Sequence, residues 1–386
     1  MDDLVANTAL ERLRGVRILF YGLPLWHTRQ SGLAKWFFSV ERVLETDYRL
    51  DLGHLALHNS MLDGSLGNIP VLGSLYSLLV ATYRIQREET IVHVLSQTKE
   101  YHRMLEFSKK PAGPTRRVKT ILTVHDILDS KGSELASIQK KVEFADAVFV
   151  PSEYTRLALA RRTSFAGPIC LVPNPVDVKV FRSFSPESKA QERRRVLRRL
   201  ELPEETRLIL YVGSELPRKN LEGLFTMFSY CRSRTRNAAL LVVSRPTRRR
   251  SSLRALAASM EIAERVRWVD HVSDDELVRF YNASGVFVTL SLGEGFCMPV
   301  IESMACGTPV VASNLTALPE TVGTGGLLVD PFDLSSVTEK VCDLLDSRDI
   351  GQRLVEAGAK RVEALRPELV AAKYIGAYTR VLEDTR

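Results

Sequence analysis

Val286-Phe-Val-Thr-Leu-Ser-Leu-Gly-Glu-Gly-Phe-Cys-Met-Pro-Val-Ile-Glu302 is the stretch whose reading decides the fold. Its first six residues, Val286 to Ser291, are a β-branched apolar run that reads as a buried strand. Pro299 fits the first turn of a helix, where a missing N–H costs nothing. Glu302 then falls about one turn further in. The N–H groups near Phe296, Cys297 and Met298 should point out of the helix mouth at anything anionic. Glu294 stays on the loop, beyond that anion. A ligand with hydroxyls at both ends and phosphate in the middle suits this arrangement, which describes a nucleotide sugar.

Working outward, apolar strands and amphipathic helices alternate almost throughout, the pattern of parallel sheets covered by helices. Strands are expected at 17–23, 90–95, 120–125, 147–151 and 169–172, with helices at 134–144 and 153–162. A fresh strand at 207–212 restarts the rhythm, followed by strands at 240–244, 266–270, 286–291 and 310–313. A chain of 386 residues is long for one core. The expected fold is therefore α/β, with two Rossmann-like domains facing one another across a cleft. The polar, basic stretch from Phe181 to about Pro203 is the natural boundary. This gives an N-terminal acceptor domain over 1–180, a C-terminal donor domain over 181–366, and a last helix in 367–386 that packs on either domain. Ligands of such sheets gather at the carboxyl ends of the strands, and the cleft between two domains is the default site.

The charge balance of +7 is clustered. Arg193-Arg-Arg195 with Arg198 and Arg199 forms one run, Arg248-Arg-Arg250 a second, and Lys109, Lys110, Arg116, Arg117 and Lys119 a third. The plain reading is solvated helix faces and loops; the sharper one is a peripheral contact with an anionic membrane face. No zinc finger, helix-turn-helix or stacking-aromatic pattern accompanies the arginines, so nucleic acid is not an expected partner. No run of 18 apolar residues is present to span a bilayer. Met1-Asp-Asp3 begins nothing like a secretory signal. The 5 cysteines are scattered without metal-ligand spacing and read as free thiols in a reducing cytosol.

Each chemical candidate follows a strand. Gly213-Ser-Glu-Leu-Pro-Arg-Lys-Asn220 comes after the first strand of the second half. Gly213 and Ser214 allow close backbone approach, and Arg218 and Lys219 supply charge that would hold a diphosphate and neutralise it as it leaves. His125 ends the 120–125 strand, as a structural hydrogen-bonder or as a contact to a sugar hydroxyl. In the loop after the first strand, Gly32 at a helix mouth and His27 stand on the acceptor side. No Asp-x-Asp pair is found, so a metal bridging the diphosphate has no evident ligands and no cofactor is expected. No acid has a general-base partner.

Taken together, these residues resemble the retaining glycosyltransferases of family four (glycosyl transferases group 1), which have the GT-B fold. Glu294 to Glu302 looks like that family's paired-glutamate motif, flanked by Ser291-Leu-Gly-Glu-Gly-Phe296 and Ser303-Met-Ala-Cys-Gly-Thr-Pro-Val-Val-Ala-Ser313. Val269-Asp-His-Val-Ser-Asp-Asp-Glu-Leu277 and Gly326-Leu-Leu-Val-Asp-Pro331 are similarly placed. Val124-His-Asp126, Ala145-Asp-Ala-Val-Phe-Val-Pro-Ser152 and Val172-Pro-Asn-Pro-Val-Asp177 resemble it more weakly. The resemblance implies that Glu302 binds the ribose hydroxyls, Glu294 and His125 the donor sugar, and Arg218 and Lys219 the diphosphate. The backbone near Val272 would meet the base. It implies transfer with retention, in which the leaving phosphate helps deprotonate the acceptor, a glycan or a lipid-linked sugar. The Pro-Arg-Lys-Asn variant leans toward GDP-mannose as donor. The chain departs from the pattern at Ser214, Pro175, Cys297 and Gln30-Ser-Gly32. Two other readings stay open: a binding subunit that has lost catalysis, and an epimerase on the same scaffold.

Overall fold

The computed structural model describes residues 9–21, 32–55, 89–95, 118–127 and 133–384. The chain divides into two compact units, one of 1–175 with 367–386 and one of 176–366. Each is built on a six-stranded, wholly parallel sheet.

The first sheet is made of β1 (Arg17–Tyr21), β2 (Asp51–Leu55), β3 (Thr90–Val94), β4 (Val118–Thr123), β5 (Ala147–Val150) and β6 (Ile169–Leu171), in the order β2-β1-β3-β4-β5-β6. The second contains β7 (Arg207–Val212), β8 (Ala238–Val243), β9 (Val266–Val269), β10 (Val286–Thr289), β11 (Val310–Ser313) and β12 (Leu327–Val329), in the order β12-β11-β10-β7-β8-β9. The expected strands are all present, most of them ending one or two residues early. The edge strands β2 and β12 were not foreseen.

Both faces of the second sheet are buried, as parallel sheets require. Side chains alternate along β7: Leu208 and Leu210 enter one core with Phe280, Phe287 and Ile301, while Ile209 and Tyr211 enter the other with Phe225, Phe228 and Val341. The stretch from Phe181 to Pro203 lies within this unit, which begins at residue 176. Ser185 caps the helix Pro186–Arg199, accepting from Ser188 N at 3.3 Å, and its Val196 and Leu197 enter the core. A charged outer face disguised an amphipathic helix.

The last helix, Pro367–Glu383, groups with the first unit. Its Tyr378 hydroxyl meets Nδ1 of the buried His93 on β3 at 2.8 Å, and His93 Nε2 meets Thr123 Oγ1 at 2.7 Å. The rings of Tyr374, Tyr378 and Phe149 surround that imidazole. Burial, helped by the charge on His125, depresses the pKa of His93 to about 3.

In the described basic runs Arg194, Arg195, Arg198, Arg199 and Arg248 are exposed, Arg193 and Arg249 half-buried and Arg250 buried. Arg193 donates to the carbonyls of Ala283 and Thr206, Arg195 pairs with Glu192, and Arg199 pairs with Glu276 while lying over the Phe280 ring. Arg249 pairs with Glu222, and Arg250 is buried. Lys119 donates to the Asp384 carbonyl at 2.7 Å. Lys109, Lys110, Arg116 and Arg117 lie outside the described residues. Among the described residues no helix is long and apolar enough to cross a membrane.

Candidate active site

The site is built on the second unit, at the carboxyl ends of β7 and β10. After β10 the chain runs through a loop to the helix Met298–Ala305, whose N-cap, Cys297, adopts the left-handed conformation at φ 79° with Pro299 in the first turn. The positive end of this helix opens onto the loop; Pro299 has no N–H, and Val300 N donates to the Cys297 carbonyl at 3.2 Å. Glu294 on the loop and Glu302 in the helix are both buried, at 5% and 7% exposure. Their carboxylates therefore need partners.

Glu294 finds two cations. Lys219 Nζ lies 2.5 Å from its Oε1 and Arg218 Nη1 lies 3.3 Å from its Oε2, while the same Nη1 donates to the Gly293 carbonyl at 2.7 Å. The expectation had these cations gripping a diphosphate; in the structure they pair with Glu294. Two cations against one carboxylate leave the trio net positive, which suits an arriving anion. Glu302 accepts from the Tyr281 hydroxyl at 2.9 Å. Burial first, and then the charge of Glu302, raises the Tyr281 pKa well above its usual value, so this hydroxyl remains a donor.

The loop after β7 is pinned by its own chain. The Tyr211 hydroxyl donates to the Ser214 carbonyl at 2.7 Å, and a Cβ on Gly213 would stand 2.6 Å from that hydroxyl, so a side chain there would displace Tyr211. Arg218 O accepts from Leu292 N at 2.7 Å and from Ser291 Oγ at 3.0 Å. Asn220, at φ 53°, caps the next helix through Gly223 N at 3.2 Å. The cation-bearing loop is thus fastened to the chain leading into the glutamate loop through the Arg218 carbonyl and through Asn220 Nδ2, which donates to the Leu290 carbonyl at 3.1 Å.

The remaining candidates divide. Phe296 packs into the core and Val272 packs against it, leaving backbone rather than side chain for a ligand. The Cys297 thiol is pushed up in pKa by burial and then by the Glu294 charge, which keeps it a thiol and unsuited to nucleophilic work. His125 lies in the first unit; its Nε2 donates to the Leu95 carbonyl at 2.8 Å, and burial lowers its pKa. Gly32 is the first residue of the helix Gly32–Thr46. His27 lies outside the described residues.

Sequence reasoning missed three participants. Tyr281 sits on the apolar face of the helix Asp274–Ala283 and reads there as core. Thr316, at φ 57°, accepts the Glu294 N–H at 2.9 Å and so aims that residue. Left-handed geometry at a β-branched residue costs on the order of 1–3 kcal/mol and collects at working sites. Glu215 is wholly buried, accepting from Ser244 Oγ at 3.0 Å, from Thr247 N and Oγ1 at 2.9 and 2.8 Å, and from Arg250 Nε. Burial alone would raise its pKa; the bonds from Thr247, Arg250 and Ser244 outweigh that and hold it below the usual carboxylate value.

Two units, each built on a six-stranded parallel sheet, and a glutamate-flanked helix mouth mark the GT-B fold. Residues 192–361 match the glycosyl transferases group 1 family. It is 31% identical over 177 residues to the O-antigen chain mannosyltransferase B of Escherichia coli, a match covering 44% of this chain and 45% of that protein. It is 32% identical over 238 residues to a GDP-mannose-dependent alpha-(1-6)-phosphatidylinositol monomannoside mannosyltransferase of Mycobacterium tuberculosis, covering 59% and 60%. The matches span about half the length of the curated relatives, 45% and 49% of the first two. Among solved structures, sucrose-phosphate synthase from Thermosynechococcus elongatus has the same fold, with a TM-score of 0.73 at 22% identity over 95% of this chain and 99% of that one.

Proposed function

We propose that the protein is a retaining, metal-independent glycosyltransferase that moves a hexose from a nucleotide diphosphate sugar to a glycan or lipid-linked acceptor. GDP-mannose is the first-choice donor, a lean supported by the two bacterial relatives named for mannosyl transfer. One observation carries the reading: two buried carboxylates, Glu294 and Glu302, flank a helix N-terminus with Lys219 and Arg218 beside it. In this reading Glu302 takes the ribose hydroxyls, Glu294 the hydroxyls of the sugar, and Lys219 and Arg218 the diphosphate. The bond from the anomeric carbon to phosphate breaks, and the bond to the acceptor oxygen forms on the same face. The acceptor proton passes to the departing phosphate oxygen. Lys219, Arg218 and the N–H groups at the helix mouth stabilise the charge that collects on the leaving diphosphate. A protein nucleophile is not needed.

Incubation with GDP-mannose, UDP-glucose and ADP-glucose, with and without EDTA, tests the donor and the metal together. Transfer and donor hydrolysis should survive EDTA and should fall at least 100-fold in Glu294→Ala and in Lys219→Ala, the scale of removing a group that acts on developing charge. Full activity in both variants would sink the site assignment. The proposed setting is the cytoplasmic face of a membrane, in peripheral contact. Sedimentation with anionic vesicles at low and at high salt checks it, because an electrostatic contact weakens as salt rises.

A further inference from the structure

Arg250 belongs to the run that the sequence presents as solvated charge, yet it is 8% exposed and makes more polar contacts than either neighbour. Its Nε donates to Glu215 and its Nη1 to Asp270 Oδ1 at 2.6 Å. Its Nη2 reaches the Ser244 carbonyl at 2.9 Å and Ser244 Oγ at 3.1 Å, and its guanidinium carbon lies 4.4 Å from the centroid of the Trp268 ring. Glu215 completes the cluster from the other side, both carboxylate oxygens receiving two donors. Arg249 Nη1 adds a bond to the Glu215 carbonyl at 2.7 Å.

These contacts join three segments that each follow a strand: the loop after β7 that carries Arg218 and Lys219, the loop after β8 with Ser244 and Thr247, and Asp270 just beyond β9. We propose that Glu215 and Arg250 form a strap that positions Lys219 for the diphosphate, so that Glu215 is a positioning residue of the donor site. The argument is one of position and chemistry. Glu215 stands three residues before Arg218 and four before Lys219. Between them runs a loop and a single 3-10 turn, Pro217–Lys219, tied at its far end by the bonds from Leu292 N and Ser291 Oγ to the Arg218 carbonyl. A fully satisfied buried ion pair gives this short segment one arrangement. Uncharged Gln at 215 would face donors with an amide of its own and lose at least one of the four bonds. This inference rests on the donor-site reading of Lys219 given above.

Calorimetric titration with GDP and UDP separates positioning from mere stability, because stoichiometry reports the folded fraction while Kd reports the site. Lys219→Ala is expected to weaken binding of the preferred nucleotide by about 10- to 50-fold, the loss of one charge-assisted contact. Glu215→Gln should weaken it about tenfold at unchanged stoichiometry. The double variant should be no more than about twofold weaker than Lys219→Ala alone, since coupled residues do not add. A double variant as weak as the product of the two single effects would overturn the strap. So would Glu215→Gln lowering stoichiometry while Kd stays that of the parent. If Glu215→Gln does not fold, Arg250→Lys, which keeps the charge but loses the fork, enters the same cycle with the same expectations. A Lys219→Ala protein that binds like the parent, or a parent that binds neither nucleotide, defeats the donor-site reading itself, and the strap with it.

Discussion

Acidification should loosen the first unit through one histidine. His93 is ordinarily half-protonated near pH 6.5, but burial among Tyr374, Tyr378 and Phe149, with His125 nearby, lowers its folded pKa to about 3. The unfolded chain therefore binds a proton that the folded chain refuses. Stability from this group is complete above about pH 6.5 and is lost progressively as pH falls from there toward 3. Integrated between pH 7 and pH 5 the loss is about 2 kcal/mol, and one proton per molecule gives a slope near 1.4 kcal/mol per pH unit below pH 6. Other groups titrate in the same range, so the measurement is a difference. Urea unfolding of the parent and of His93→Asn would be followed at both pH values by amide exchange in β3. The variant is the less stable protein at pH 7, having lost the bonds to Tyr378 and Thr123. Its deficit should shrink by about 2 kcal/mol at pH 5. A deficit independent of pH, or an imidazole resonance of folded His93 titrating near 6.5, would refute the reasoning.

Two further outcomes follow from single contacts. Tyr281→Phe removes the donor to buried Glu302; a hydrogen bond to a charged group contributes about 1.5–3 kcal/mol, so nucleotide affinity should fall roughly tenfold or more by titration. Gly213→Ala brings a Cβ to 2.6 Å from the Tyr211 hydroxyl. That clash should cost about 1–3 kcal/mol in thermal or urea unfolding, and Tyr211→Phe in the same chain should recover part of it.

What the sequence disclosed depended on distance along the chain. Glu294 and Glu302 were legible because strand, loop and helix mouth lie within one short stretch, where periodicity and Pro299 fix the geometry locally. Glu215 and Arg250 stand 35 residues apart, and a triple arginine looks like a wet helix face until its partner is known. Tyr281 was hidden by an opposite ambiguity, since a tyrosine on an apolar helix face serves the core and a carboxylate equally well. Of the two strands not foreseen, β2 reads Asp51-Leu-Gly-His-Leu55, with a glycine and too little β-branching to signal a strand. The last helix had clear periodicity but no sign of its host, because the deciding contacts are Tyr378 with His93, 285 residues away.

The route of the chain also sets an order of assembly. The second unit is one uninterrupted stretch, 176–366, whereas the first is closed only when Pro367–Glu383 returns to it. On the ribosome, the unit whose residues emerge first cannot be completed first. The donor-site unit has all its strands and helices in hand while the earlier sheet still waits for the tyrosines that cover His93. Until then β3 keeps an imidazole and an apolar face without their native cover, and the protein is most exposed to chaperones and proteases in its oldest part.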